Sequence, residues 1–216
     1  MGLFDDLKKQ VGNKISGGIN NAIQKQKFEA RKSAKDAVSG AVKNAVNGAS
    51  HHTQKVVFDH LPANLADLKT LPGADLKDPA KVAALAVAAL CAYPTDREAC
   101  IEMLNYLRGP RPLSGHDLSL INDRFMDGQT YIPISYFEGT SPENDYTPSM
   151  PYTIEVIEGP YAKQNEGYLR LDMVSSGADA ARYIVLRNKP STGEWFLWEQ
   201  YILVGIRIPK SKDVWA

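Results

Sequence analysis

The residues best suited to binding a partner are arginines and aromatic residues in the second half of the chain. Arginine, tyrosine and tryptophan dominate binding hot spots, because a guanidinium group pairs with anions and a large ring buries much surface. These residue types predict a recognition surface made of Arg108, Arg111, Arg124, Tyr131, Tyr136, Tyr146, Trp195 and Trp198. The alternative interpretation is that the arginines cap helix ends and the rings fill a core between helices and a sheet.

No local motif predicts a catalytic centre. The sequence contains neither a Gly-x-Ser-x-Gly turn for a nucleophilic serine nor a Gly-rich phosphate-binding loop. Its two cysteines, Cys91 and Cys100, lie in an apolar helical pattern that favours reduced thiols in a core. A site assembled from distant loops leaves no local motif. An enzyme of unknown class, with a site near Arg108–Arg124 and the 127–150 loop, is therefore the alternative to a non-enzymatic function.

Histidine positions do not favour a metal site. His51 and His52 are adjacent in sequence, whereas two ligands on one helix usually stand three or four residues apart, and no Cys-x-x-Cys motif accompanies them. We expect these histidines to be solvated, and we expect no metal and no cofactor.

The N-terminal part of the chain is a basic arm. Residues 1–55 contain ten Lys and Arg against four Asp and Glu, a net charge of +6; the whole chain has 25 of each, so residues 56–216 carry −6. Apolar residues recur at steps of three or four from Leu3 to Ile23, which is the spacing of one helix face. The sequence therefore predicts two parts, a mobile or helical amphipathic arm (1–55) and a single domain (56–216).

The arm has three interpretations. As a membrane-surface helix, it would insert apolar side chains into the headgroup layer while its lysines contact anionic lipid. As a self-association segment, stripes of small apolar residues within residues 1–50 would pair with other copies; as a solvated tail, it would have no partner. The residues expected to mediate membrane binding or self-association are Leu3, Phe4, Leu7, Lys8, Lys9, Val11, Lys14 and Ile15.

Nucleic acid is not an expected partner. The basic residues of the arm lack interleaved aromatic residues other than Phe28, and the acidic body would repel phosphates.

The body is predicted to be an α+β domain. Its first half has the patterns of four helices, in which Pro62 and Pro79 suit helix starts, Thr95 or Asp96 caps a third helix, and Ser114 or Gly115 begins a fourth. Residues 56–58 could form a short strand before them. After the 127–150 loop the apolar period changes to two, which predicts a four-stranded antiparallel meander with one face covered by the helices.

Long stretches of the body resemble a bacterial domain family of unknown function. Together they cover about residues 56–216, and the resemblance implies a bacterial source and a shared fold but supplies no activity. The stretches are residues 78–94, 100–105, 109–114, 123–128, 135–137, 140–149 and 195–201. The first nine residues, MGLFDDLKK, are similar to the opening of phage-shock-type peripheral membrane proteins.

These observations predict a non-enzymatic binding or scaffold protein. The arm would tether it to an anionic membrane surface or assemble it with itself, and the body would contact an unknown protein partner. The longest apolar run, Val82 to Tyr93, has twelve residues, short of the roughly 18 that a spanning helix needs. We therefore expect the protein in the cytoplasm or at the inner face of the membrane.

Overall fold

The computed structural model describes residues 52–215, so nearly all of the predicted arm, including Leu3 to Ile15, lies outside the described residues. In the described part, short 3-10 turns occur at Met126–Gly128, Pro142–Asn144 and Lys210–Lys212. The helices and strands follow in chain order as β1 (His52–Phe58), α1 (Leu65–Leu68), α2 (Pro79–Leu90), α3 (Arg97–Arg108), α4 (Gly115–Phe125), α5 (Tyr131–Ile134), β2 (Tyr152–Glu158), β3 (Tyr168–Met173), β4 (Arg182–Lys189) and β5 (Glu194–Gln200).

The strands form one antiparallel sheet in the order β1-β2-β3-β4-β5. The α+β class is confirmed, but the predicted four helices and four strands are wrong in number, because the described residues contain five of each. The additional strand, β1, pairs with β2 from His52 opposite Glu158 to Phe58 opposite Tyr152. All five helices are inserted between these two neighbouring strands.

β1 crosses the predicted boundary between arm and body. The strand begins at His52, so a boundary between residues 55 and 56 falls inside it. Its residue Gln54 also donates a hydrogen bond from Nε2 to Asp78 Oδ2 at 3.0 Å. Because Asp78 caps the first turn of α2, residues 52–55 are joined both to the sheet and to the central helix.

Helix α2 forms the centre of the core. Asp78 accepts hydrogen bonds from the backbone N–H groups of Ala80 and Lys81, and Pro79 begins the helix at a position that needs no N–H. From Val82 to Leu90 every side chain is buried, as expected for a helix that is apolar all round. α2 contacts all five strands, and it covers one face of the sheet.

The opposite face of β3 and β4 carries large polar and aromatic side chains. Leu169, Leu171, Ile184 and Leu186 point into the core, because side chains alternate along a strand. The intervening residues Tyr168, Arg170, Tyr183 and Arg187 are partly or fully exposed. Among residues 52–215, no helix combines the length and hydrophobicity required to span a bilayer.

The 127–150 loop is anchored by buried aromatic rings. Tyr131 and Tyr146 stack with their centroids 5.3 Å apart. The hydroxyl of Tyr146 donates to the carbonyl of Arg207 at 2.7 Å, and that of Tyr136 donates to the carbonyl of Ile202 at 2.7 Å. Burial raises the pKa of Tyr146 to about 12, so its hydroxyl remains a donor at neutral pH.

The prediction of free cysteines in the core is confirmed. Neither Cys91 nor Cys100 forms a disulfide; Cys100 is fully buried and Cys91 is half-buried. Burial raises the pKa of both thiols, that of Cys100 to about 12, so neither is an activated thiolate.

Candidate functional site

A glycine at the end of α3 directs the following loop across β5. Gly109 has φ 58° and ψ −119°, a conformation that is costly for residues with a Cβ atom. A Cβ atom built there would also lie 2.3 Å from the ring of Phe196 on β5. The chain can therefore reverse against Phe196 only with glycine, and this reversal carries Arg111 to Trp198. The guanidinium carbon of Arg111 lies 4.1 Å from the centroid of the Trp198 ring.

A β-bulge places Trp198 on β5. Val185 of β4 pairs with Glu199, and the next residue, Leu186, pairs with Leu197. Trp198 is thus the extra residue of β5 at this position. Bulges redirect side chains and are frequent beside functional sites. Trp198 follows the inward-pointing Leu197, so its ring lies on the opposite face of the sheet, where it is half-exposed.

Two residues from neighbouring strands complete what we call the tryptophan cluster, made of Trp198, Arg111, Arg187 and Tyr168. The guanidinium carbon of Arg187 lies 5.3 Å from the centroid of Trp198 and 4.5 Å from that of Tyr168. Arg187 also donates a hydrogen bond to the Tyr168 hydroxyl. The two rings meet edge to face with centroids 5.6 Å apart. Cation–π contacts of this kind hold both guanidinium groups in defined positions.

Arg108 lies beneath the cluster and is only 4% exposed. Its Nε donates to the carbonyl of Arg111 at 3.0 Å and its Nη1 to the carbonyl of Trp198 at 3.4 Å. Its nearest carboxylate, Asp117, is 3.5 Å away and accepts shorter hydrogen bonds from Ser114, at 2.7 and 2.8 Å. Burial lowers the pKa of Arg108, and Asp117 only partly offsets this effect.

Two cavities adjoin the cluster. The first, which we call the cationic pocket, has a volume of about 420 Å³ and is lined by Arg108, Arg111, Arg187 and Lys189 together with the rings of Phe196 and Trp198. No carboxylate lines it. The second, which we call the edge groove, has a volume of about 290 Å³ and lies between α4 and the stretch from Leu197 of β5 to Tyr201, the residue after this strand. Arg108, Arg111 and Trp198 line both cavities.

Most of the positive charge at the cationic pocket has no counter-charge. Within residues 52–215, neither Arg111 nor Arg187 nor Lys189 has a carboxylate oxygen within 4.0 Å. Some cations elsewhere on the same domain are paired, for example Lys163 with Glu158 at 2.6 Å and Arg170 with Asp172 at 2.9 Å, so the pocket is distinguished by the grouping of its unpaired cations around one ring. The pocket therefore combines uncompensated cations with an accessible aromatic ring, an arrangement that can bind an anion.

Three of the eight residues predicted for a recognition surface meet at this site, namely Arg108, Arg111 and Trp198. Tyr131, Tyr136 and Tyr146 are instead buried, as the alternative interpretation predicts for core rings. Trp195 is half-buried and its backbone N–H donates to the carbonyl of Leu76 at 2.7 Å, and Arg124 is exposed. Neither Trp195 nor Arg124 lines either cavity.

Sequence reasoning missed Arg187, Lys189, Tyr168 and Phe196. Arg187 and Tyr168 alternate with inward-pointing apolar residues along β4 and β3. This alternation could have indicated that both side chains point outward. They lie close together because Tyr168 of β3 pairs with Arg187 of β4. The alternation of apolar residues does not reveal which residues of two strands pair.

The features that would support an enzyme are only partly present. The edge groove contains His116, Asp117 and Tyr201 beside Arg108, whereas no residue of the 127–150 loop lines either cavity. Over residues 52–215, no group of three His, Cys, Asp or Glu side chains could hold a metal ion together.

Comparison with known proteins identifies the family. Residues 60–210 match the model of a domain of unknown function, DUF6935. The chain belongs to this family. The match confirms the resemblance of the body to a domain family of unknown function, and the DUF6935 region contains every residue that lines the two cavities. No curated protein and no solved structure matches the chain.

Proposed function

We propose that this DUF6935 domain is a non-enzymatic binding module that recognises an anionic partner at the cationic pocket. The observation that carries the proposal is the meeting of three arginines and a lysine around Trp198 without a carboxylate in the pocket lining. Like charges held close together repel each other, and this cost falls when a bound anion neutralises them.

The chemistry of the site favours carboxylates on a protein partner. A guanidinium group presents parallel N–H donors that match a carboxylate in a bidentate pair. Stacking on Trp198 and Tyr168 already restricts Arg111 and Arg187, so less side-chain entropy is lost when they bind. An exposed tryptophan beside them adds apolar area of the kind found in binding hot spots. These features support a scaffold function in which the domain holds an acidic segment of another protein.

A peptide of six glutamates, labelled for fluorescence anisotropy, is a direct probe of this function. We expect saturable binding that weakens as the salt concentration rises, because exposed charges are screened. Arg111→Gln and Arg187→Gln should each weaken binding about tenfold, since a hydrogen bond to a charged group contributes about 1.5–3 kcal/mol.

The matched control is Arg124→Gln. Arg124 is also exposed but lines neither cavity, so its loss should change the affinity by less than about twofold, although the net charge changes equally. Absence of binding to the wild type, or equal weakening by all three substitutions, would show that no specific anion site exists here.

We also propose that the basic arm tethers this domain to an anionic membrane surface, at its inner face in the cytoplasm. The support is the sequence alone, namely the apolar spacing from Leu3 to Ile15 and the lysines Lys8, Lys9 and Lys14. The full chain should co-sediment with vesicles of equal parts phosphatidylglycerol and phosphatidylcholine. Replacing the three lysines by glutamine should reduce the bound fraction severalfold, because each lysine near an anionic surface contributes about 1 kcal/mol.

The comparison for this test is a chain that starts at His52, which keeps β1 whole. Equal sedimentation of the full and shortened chains excludes the membrane tether. If the full chain does not bind vesicles but light scattering shows a larger assembly than that of the shortened chain, the arm mediates self-association instead.

A further inference from the structure

We propose that the partner is an acidic polypeptide segment in extended conformation, which adds as a strand along the free edge of β5. This inference rests on the proposed function, and it specifies the kind of ligand that the same site accepts. It follows from the path of the edge groove, from the size of that groove and from the arginines that cover the strand.

The edge groove follows the edge of a strand and not its face. β5 is the last strand in the sheet order, so one side of its backbone has no neighbouring strand within residues 52–215. Five consecutive residues, Leu197 to Tyr201, line the groove. Of these residues, Leu197 points into the core and Trp198 packs on Tyr168 at the opposite face, and a cavity on one face of the sheet would not reach both. A ligand in this groove therefore lies beside the backbone of β5.

The size and floor of the groove fit one or two side chains of a longer ligand. Its volume of about 290 Å³ lies at the lower end of the range for pockets that enclose small molecules, roughly 300–1,000 Å³. Buried apolar residues, Leu90, Leu104, Ile121 and Leu197, form its floor. An apolar side chain of the ligand could enter here while the rest of the ligand continues along the strand.

The stretch of free edge has defined ends. At the start of β5, the backbone N–H of Trp195 already donates to the carbonyl of Leu76 at 2.7 Å, which closes that end of the edge. The groove then extends from Leu197 to Tyr201. At about 3.3 Å per residue, this length accommodates a strand of about five residues.

Two arginines cover the edge and determine which segment can pair with it. The carbonyl of Trp198 accepts hydrogen bonds from Nη1 of Arg108 and Nη1 of Arg111, both at 3.4 Å and therefore long. Charged side chains on an edge strand commonly prevent pairing with other chains. A neutral or basic segment would have to displace or repel these guanidinium groups, whereas an acidic segment pairs with them. Asp117 and Glu199 also line the groove, but the guanidinium groups at the carbonyl of Trp198 favour an acidic segment over a neutral or basic one at that point of the edge.

The test compares a labelled peptide of alternating glutamate and leucine, five residues long, with two N-methylated forms. One form is methylated on the backbone nitrogens of the odd-numbered residues and the other on those of the even-numbered residues. In an extended strand these two sets point to opposite sides, so only one set can face β5. We expect one form to bind at least tenfold more weakly than the parent peptide and the other to stay within about twofold of it.

The full-length wild type, Arg111→Gln and Arg124→Gln are titrated in parallel with these peptides. If both methylated forms bind as tightly as the parent while Arg111→Gln still weakens binding, the acidic site stands and strand addition is wrong. If inorganic phosphate binds at the cationic pocket but none of the peptides does, the ligand is a small anion and the inference is overturned. If neither these peptides nor hexaglutamate nor phosphate binds, the proposed function itself fails.

Discussion

The Phe58→Ala variant should lose about 3–5 kcal/mol of unfolding free energy, the usual cost of deleting a large buried ring. Phe58 is 1% exposed and belongs to the single hydrophobic core described for residues 52–215. It is the last residue of β1 and pairs with Tyr152 of β2, so its loss opens a cavity where the first strand meets the helices. Urea denaturation followed by circular dichroism measures the change.

Val57→Ala is the matched control for this prediction. Val57 is the neighbouring strand residue, is 43% exposed and points to the other side of the sheet, so its truncation should cost less than about 1 kcal/mol. Phe58→Leu, which leaves a smaller cavity, should fall between the two and remain folded if Phe58→Ala does not. Equal effects of Phe58→Ala and Val57→Ala would show that β1 is not part of the core.

Helices α2, α3 and α4 could be predicted because their signals are local, whereas α1 begins after the cap Asn64 and not at Pro62, and α5 was missed. Asp96 caps α3 by accepting a hydrogen bond from the N–H of Ala99 at 2.9 Å, and Ser114 caps α4 in a reciprocal pair with Asp117. Each cap lies within three residues of its partner, so the residue types alone indicate the helix start. The anchoring of the 127–150 loop by its aromatic rings was predictable for a similar reason, because a long loop rich in such rings must bury them.

β1 could not be placed from local signals. Its partner residues lie on the far side of five helices, with His52 opposite Glu158. One of its inward positions is the polar Gln54, whose side chain contacts the cap of α2 instead of an apolar core. The apolar alternation is therefore confined to the last residues of the strand, and only the tertiary structure shows where it pairs.

The site was predictable only in part, because it depends on register. Arg108, Arg111 and Trp198 have the residue types of a recognition surface and could be identified from the sequence. Their meeting with Arg187 and Tyr168 requires the pairing of β3 with β4 and the bulge at Trp198. Neither feature leaves a specific sequence pattern. The register decides the site, because a shift of one residue would turn these side chains to the other face.

Reversing two charges at the cationic pocket should have the largest effect on binding. In the variant Arg111→Glu/Arg187→Glu, two of the four cations of the cationic pocket become anions while Arg108 and Lys189 remain, so the net attraction for a carboxylate is lost. We expect the affinity for hexaglutamate to fall at least a hundredfold, or about 2.7 kcal/mol. Both side chains are exposed, so the circular dichroism spectrum and the urea midpoint should change little, which separates lost binding from lost folding.

The most direct test of anion recognition at Trp198 is a charge-swap titration of wild type and this double variant with hexaglutamate and hexalysine at low salt. The proposed site predicts that the wild type binds hexaglutamate and not hexalysine at the cationic pocket, and that the variant, whose pocket has no net charge, binds neither there. Unchanged binding of hexaglutamate by the folded variant would contradict the proposal, because the cations around Trp198 would then have no part in recognition.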